Sequence, residues 1–357
     1  MEKKLTDDLS STFASPEFDE WIKVASAETG GEAPMEKLSW KLADLEFNPL
    51  YTSDHLKTNA LPPFVLENES RSRAWANVPL VVVNDEQSAN TTALKHLKNE
   101  AEGILFHLTR NEIDFQKLLQ DISWEHCTVS FLGSQLNADL AKIIRGNFDG
   151  DKLAGAFFSP AHSNDITLIK TGFKMLGVPV SPSTAVDEIA EGLLKATRLM
   201  EVFIEKGNTA EEIVQHIAFQ LPLGPQLLTE IAKLKAMRQL WYQVVRAYGV
   251  KTFRPEEINL HGYSDKWINP KYQPHGNMLK STIASIAGIA GGCNAITIVA
   301  EEQNNSLMNR IARNTSHILL EESHLGKVND PFAGAYALEV MTNDIAAAAW
   351  KKFQSAT

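Results

Sequence analysis

Between residues 80 and 299 an apolar, β-rich run of four or five residues recurs eight times, with stretches of helical period between the repeats. The runs are Leu80–Val83, Ile104–Leu108, Thr128–Leu132, Gly155–Ser159, Val178–Ser181, Ile217–Leu221, Ile258–His261 and Ala295–Val299. The intervening segments include IDFQKLLQDI, NADLAKIIRG, ITLIKTGFKML, VDEIAEGLLKATRLMEVFIEKG, LTEIAKLKAMRQLWYQVVRAYG and MLKSTIASIAGIA. Short apolar runs bounded by turn signals read as buried strands, and the intervening period reads as amphipathic helix. Parallel strands need crossovers of this length, so eight such repeats predict an α/β chain closed into a (β/α)8 barrel. The rival, an open doubly wound sheet, would want a Gly-rich phosphate loop after its first strand. Neither GxGxxG nor GxxxxGK[ST] occurs. A further helix is expected near Asn343–Phe353.

With 357 residues, 44% of them hydrophobic, the chain can fill one large barrel and a tail. The net charge of −10 argues against a nucleic-acid partner. No run approaches the length of apolar sequence that spans a bilayer. The opening MEKKLTDDLSSTF lacks the apolar segment of a secretory signal, and the two cysteines, Cys127 and Cys293, sit in apolar runs as buried thiols. A cytoplasmic location is therefore expected, with no membrane contact. Residues 1–60 read as an arm, with helices around Phe18–Ala25 and Met35–Leu42, and the barrel as 61–357. Phe18, Trp21, Ile22, Leu38, Trp40, Phe47 and Leu50 are more large apolar groups than so short an arm can bury by itself. Phe18, Trp21, Ile22 and Trp40 are expected to meet a partner subunit; wrapping onto the chain's own barrel is the alternative.

Function in such barrels lives on the loops after the strands. His107, His162 and His261 follow the second, fourth and seventh runs, yet no HxH or HExxH spacing makes them a metal set. Glu301-Glu302 and Glu321-Glu322 are adjacent acids, which on a helix point in different directions and seldom share a proton. No serine lies in a GxSxG elbow. His126 and Cys127 are strand neighbours that face opposite ways. No catalytic set emerges from the spacing alone.

Two later stretches are sharper: RIARNTSHILLEES at 310–323 and NDPFAGAYALE at 329–339, followed by a helix containing AAAAW. They resemble the methylmalonyl-CoA mutase family, whose catalytic chains read close to RIARNTQLILQEES and VDPWGGSYYVE. Arg310, Arg313, Asn314, Glu321, Glu322, Asp330, Pro331 and Gly334 carry the likeness and are expected to be structural. LYT at 50–52, LTEIAKLKAMRQLW at 228–241 and GYSDKWINPKYQPHGNMLKSTIASIAGIAGG extend it over roughly residues 35–357.

The departures matter as much. Catalytic chains of the family carry a cobalamin domain with a DxHxxG signature, found nowhere in this sequence, so that domain is expected to be absent. Where the resemblance implies a tyrosine near the first strand, Leu80 stands. Where it implies Gly-Tyr-His after the fifth, Val180-Ser181-Pro182-Ser183 stands. Val299 replaces an asparagine after the eighth. Losing an oxyanion donor such as that histidine would cost about 3 kcal/mol of barrier. The resemblance therefore implies no catalytic, cofactor-binding or metal residue here, with Leu80, Ser181, Ser183 and Val299 as degenerate positions. Adenosylcobalamin would belong to a large catalytic partner subunit, this chain being the second barrel of a heterodimer. Isolated, such a chain could self-associate through the same surface. The alternatives are an active barrel of a split acyl-CoA mutase working with a separate cobalamin subunit, and a stand-alone barrel with a new ligand.

Overall fold

The computed structural model describes residues 18–356, except 43, 57–74, 135–137, 147–152, 163–165, 270, 274 and 304. Expectations placed on 1–17 and 57–60 of the arm lie outside the described residues. The chain divides into two units, residues 1–55 and 56–357.

In the first unit, α1 (Phe18–Glu28) carries Asp19 and Glu20 in its first turn, where acids complement the helix dipole. Phe18 and Trp21, three residues apart, stack with ring centroids 6.3 Å apart. The helix stops at Gly30, which takes a left-handed φ of 76°. The helix expected over Met35–Leu42 is corrected. Only α2 (Pro34–Lys37) is helical, and β1 (Trp40–Leu42) then pairs antiparallel with β2 (Leu45–Phe47). Trp40 lies opposite Phe47 with rings 4.8 Å apart, a cross-strand aromatic pair that a continued helix would forgo.

The second unit is built on a ring of parallel strands. β3 (Ala76–Asn77) and β4 (Leu80–Val83) are two halves of one extended segment. The following strands are β5 (Gly103–Leu108), β6 (Thr128–Leu132), β7 (Ala156–Phe158), β8 (Lys174–Pro179), β9 (Ile217–Leu223), β10 (Asn259–Ser264) and β11 (Ala295–Thr297). Their order is β3-β11-β10-β9-β8-β7-β6-β5-β4. The ends of that order are the two halves of one segment, so the sheet closes as a (β/α)8 barrel. Val78 N–H donates to Ile296 O at 2.9 Å on one edge, and Leu105 N–H donates to Pro79 O at 3.0 Å on the other. Pro79 has no N–H to offer, and the ladder changes partner there.

The helices are α3 (Glu86–Lys98), α4 (Phe115–Leu118), α5 (Ala138–Gly146), α6 (Ala185–Glu205), α7 (Ala210–Val214), α8 (Leu227–Ala247), α9 (Gly276–Gly291), α10 (Ser306–His317) and α11 (Tyr336–Ala356). Asp85, Thr184 and Asn305 cap α3, α6 and α10 by accepting backbone N–H groups of the first turn. A second correction concerns ITLIKTGFKML. No helix follows β7 among the described residues, and Lys174–Met175–Leu176 open β8, which ends at Pro179 rather than Ser181. Ile166, Leu168 and Ile169 pack against the core from a non-helical path, so their apolar spacing mimics a helix.

Side chains alternate along the strands as the pleat requires. Val81, Val83, Ile104, Phe106, Val129, Phe131 and Phe157 point outward into a cluster with the helices and loops around the ring. Phe131 is its hub, with ring centroids of Phe106, Phe115, Trp124, Phe157 and Phe173 within 6.4 Å. The alternate residues face the barrel lumen, where the candidate site lies.

Candidate functional site

The lumen holds a hydrocarbon cluster. Val78, Leu80, Leu105, Ala156, Phe158, Ala218, Ala295 and Val299 form one buried cluster, with Leu132 and Tyr263 packed against it. Leu80 and Val299, two of the positions expected to be degenerate, belong to this cluster. His261 is buried beside them, its ring edge-on to Phe158 with centroids 5.4 Å apart. Its Nε2 lies 2.7 Å from Thr297 Oγ1, whose single proton goes to Val78 O at 2.6 Å. Nε2 must therefore carry the hydrogen and donate to Thr297. Burial pushes this imidazole down to about 3, so it is neutral at physiological pH. It ties β10 to β11 and, through Thr297, to the break in the first strand.

After β8, the serines at the other two positions expected to be degenerate are hydrogen-bonded to carboxylates of α6. Ser181 donates from Oγ to Glu191 Oε1 at 3.1 Å, and Ser183 from Oγ to Asp187 Oδ2 at 3.2 Å. The Ser183 N–H donates to Glu188 Oε1 at 2.8 Å. Glu188 in turn reaches Lys233 of α8 at 2.6 Å, which also holds Glu230 at 2.5 Å and donates to Pro222 O at 2.6 Å. All three charged side chains are buried. Burial works against the Lys233 charge, but the two carboxylates outweigh it and hold the ammonium above the ordinary lysine range. Burial raises Glu188 against the pull of Lys233.

The three histidines do not converge on a metal geometry. His261 is inside the plug, His162 Nε2 sits 2.8 Å from Gly177 O, and His107 is half-buried on β5, its pKa lowered by burial. Among the described residues no group of three His, Cys, Asp or Glu is placed to hold a metal ion. Cys127 is a half-buried thiol pushed up to about 11 by burial, far from nucleophilic.

Most motif residues have structural partners. Asp330 pairs with Lys235 of α8 at 2.8 Å and accepts the Phe332 N–H. Gly334 takes a φ of 78°, closing the turn into α11. Pro331, Glu321 and Glu322 are exposed, the two acids on a π-helical turn over Ile318–Glu322. The Arg313 carbonyl accepts Asn77 Nδ2 at 3.0 Å, fastening α10 to the first strand. Arg238 donates to Pro255 O, Ile258 O and Gly292 O, so one guanidinium binds three loop carbonyls. In the arm unit, Phe18 and Trp40 keep more than a third of their surface exposed (36% and 38%), and Trp21 and Ile22 are half-buried. Pattern reasoning missed Phe158, Thr297 and the Lys233 triad. A lysine amid the apolar residues of LTEIAKLKAM at 228–237 is the one signal that pointed to the triad.

The family described as Methylmalonyl-CoA mutase matches residues 178–357. A methylmalonyl-CoA mutase small subunit of Porphyromonas gingivalis is 27% identical over 99% of this chain and 64% of its own length. That of Propionibacterium freudenreichii subsp. shermanii is 32% identical over 47% of this chain and 27% of its own. The human mitochondrial methylmalonyl-CoA mutase is 30% identical over 47% of this chain and 23% of its own. The chain thus spans less than two thirds of the length of these relatives. No helix among the described residues is long and apolar enough to cross a membrane. By the match over its C-terminal half, this chain belongs to the methylmalonyl-CoA mutase family.

Proposed function

We propose that this chain is a non-catalytic, structural subunit that pairs with a large catalytic subunit of an adenosylcobalamin-dependent methylmalonyl-CoA mutase in the cytoplasm. The holoenzyme would interconvert succinyl-CoA and methylmalonyl-CoA, with the chemistry in the partner. The observation that carries this reading is the plugged lumen: Leu80 and Val299 pack with Phe158 and Leu105. Hydrocarbon at those positions offers no donor to a thioester oxygen. Ser181 and Ser183 are turned to the carboxylates of α6. The residues at the barrel mouth therefore do not fit adenosylcobalamin chemistry, and no step of it is assigned to them. The names of the relatives support a small-subunit role.

The test is reconstitution. The chain alone, a large-subunit homologue alone and their mixture are assayed for succinyl-CoA isomerisation with adenosylcobalamin, and the mixture is sized by gel filtration. Expected are no turnover by this chain and co-elution of the mixture; turnover by the chain alone overturns the proposal. Phe18, Trp21, Ile22 and Trp40 are proposed to contact the partner. Deleting residues 1–34 should weaken co-elution while the barrel keeps its melting transition, and undiminished co-elution would sink that assignment.

A further inference from the structure

Outside the lumen, a cleft of about 610 Å³ lies between α3 and α10, the helices that follow the first and last strands of the ring. Its charged lining is Lys95, Arg310 and Arg313, with no carboxylate on its walls, and His96 beside them is neutral at physiological pH. In a chain of net charge −10 this is an isolated positive basin. An adjoining cleft of about 520 Å³ shares Asn99, Arg310 and Arg313 with it, and is lined as well by Glu100, Glu321 and Glu322.

The basin is not explained by internal pairing. Lys233, Lys235 and Arg238, the basic residues of the family motif on α8, all have partners. Arg310 and Arg313, by contrast, have no carboxylate within ion-pair distance among the described residues, and Arg313 Nη2 reaches only the amide of its neighbour Asn314, at 3.2 Å. Arg313 is 7% exposed and His96 4%, yet Arg313 Nε and His96 Nδ1 have no hydrogen-bond partner. Buried polar atoms are ordinarily satisfied, and these two exceptions belong to residues that line the cleft. Burial first, then Arg313 and Lys95, push His96 down to about 4, while Arg313 itself feels the opposite charge of Glu100. Some of this charge has a bland role, since Lys95 and His96 lie in the last turn of α3, where cations complement the helix dipole. That role does not extend to Arg310 and Arg313, which project from the middle of another helix.

We propose that this cleft binds a diphosphate-bearing small molecule of nucleotide size. Two guanidinium groups and an ammonium suit the several oxygens of a diphosphate, to which planar Arg forks bind bidentately. The volume exceeds what one phosphate fills and falls in the range of small-molecule sites. The amides and hydroxyls of Thr92, Gln303 and Ser306 on the same wall suit a sugar or base. The site is independent of the plugged lumen and of the subunit role proposed above.

Titration calorimetry on the full chain, with pyrophosphate, ADP and adenosine as probes, tests it. Pyrophosphate and ADP should bind and adenosine should not, with affinity falling as salt is added. Arg310 and Lys95 are exposed, so Arg310→Gln and Lys95→Gln leave the fold intact. Each should weaken ADP by about tenfold, the worth of one charge-assisted hydrogen bond. Arg313→Lys, which keeps charge without the fork, should weaken it as well. Absence of phosphate binding overturns the proposal, as does binding unchanged in Arg310→Gln and Lys95→Gln. If these variants instead lower only co-elution with a large subunit, the basin serves an acidic protein surface and the proposal fails.

Discussion

Phe158→Ala tests the plug directly. The Phe158 side chain is fully buried, belongs to the lumen cluster and carries the imidazole of His261 on its edge. Truncating a core phenylalanine costs about 3–5 kcal/mol, and an edge-to-face pair adds about 1 kcal/mol. The walls are a hydrogen-bonded ring of strands and cannot collapse inward, which places the expected loss near the upper end, about 5 kcal/mol. For a domain of this size each kcal/mol moves the melting point by roughly 2 °C, so a fall of about 10 °C follows. The new cavity would be lined by His261 and Thr297, polar enough to hold water. Rehydration relieves the burial that holds His261 near 3, and its titration should move up toward the ordinary histidine range. Calorimetry and urea melts at pH 7.5 read the first effect, and NMR titration of the His261 ring protons the second. A fall of under about 2 °C with an unmoved His261 would show that the lumen was already open, and the argument for an inactive barrel would lose its footing.

Acid should destabilise the chain well above the carboxylate range. His96, His216 and His261 are held near 4, 4 and 3 by burial, so between those values and 6.5 the unfolded chain binds more protons than the folded one. Stability is then fully present above pH 6.5 and falls as pH drops, by about 2 kcal/mol per histidine at pH 5; urea midpoints equal at pH 7.5 and 5 would refute this. Lys233→Met strands Glu188 and Glu230 together in the interior and should cost about 3–5 kcal/mol in urea denaturation, and adding Glu188→Gln with Glu230→Gln should recover most of it. If the single substitution proves neutral, the triad is not buried as described. Gly155→Ala, at φ 136° with its Cβ facing Val129 O at 1.9 Å, should be severely destabilised in a thermal melt. Gly207→Ala, at φ 91° with nothing within 4 Å, should lose only about 1 kcal/mol. Equal losses would mean that backbone crowding at β7 is not what demands glycine at 155.

The eight-fold alternation was legible without coordinates because it is local. Pleat and helix period depend on neighbours a few residues apart, and Leu80–Val83 and Thr128–Leu132 appear as strands at the bounds their composition implies. The stretch at 166–176 was misread for the same reason, since apolar spacing alone does not separate a helix from an irregular path covered on several sides. Ring closure through a first strand split at Pro79 could not be read, because it depends on hydrogen bonds to β11 more than two hundred residues away. Family membership was written in RIARNT and NDPFAG, yet what those residues do was not. Leu80 and Val299 could be seen as lost functional groups, but only the folded ring turns them into a shared apolar plug with Phe158. Lys95 and Arg310 likewise become one basin only when barrel closure sets α3 beside α10. By itself, then, the sequence determined the repeating unit and the family, since both are carried by short-range pattern. The tertiary structure decided which side chains meet, because burial and charge act through space between residues that the chain places far apart.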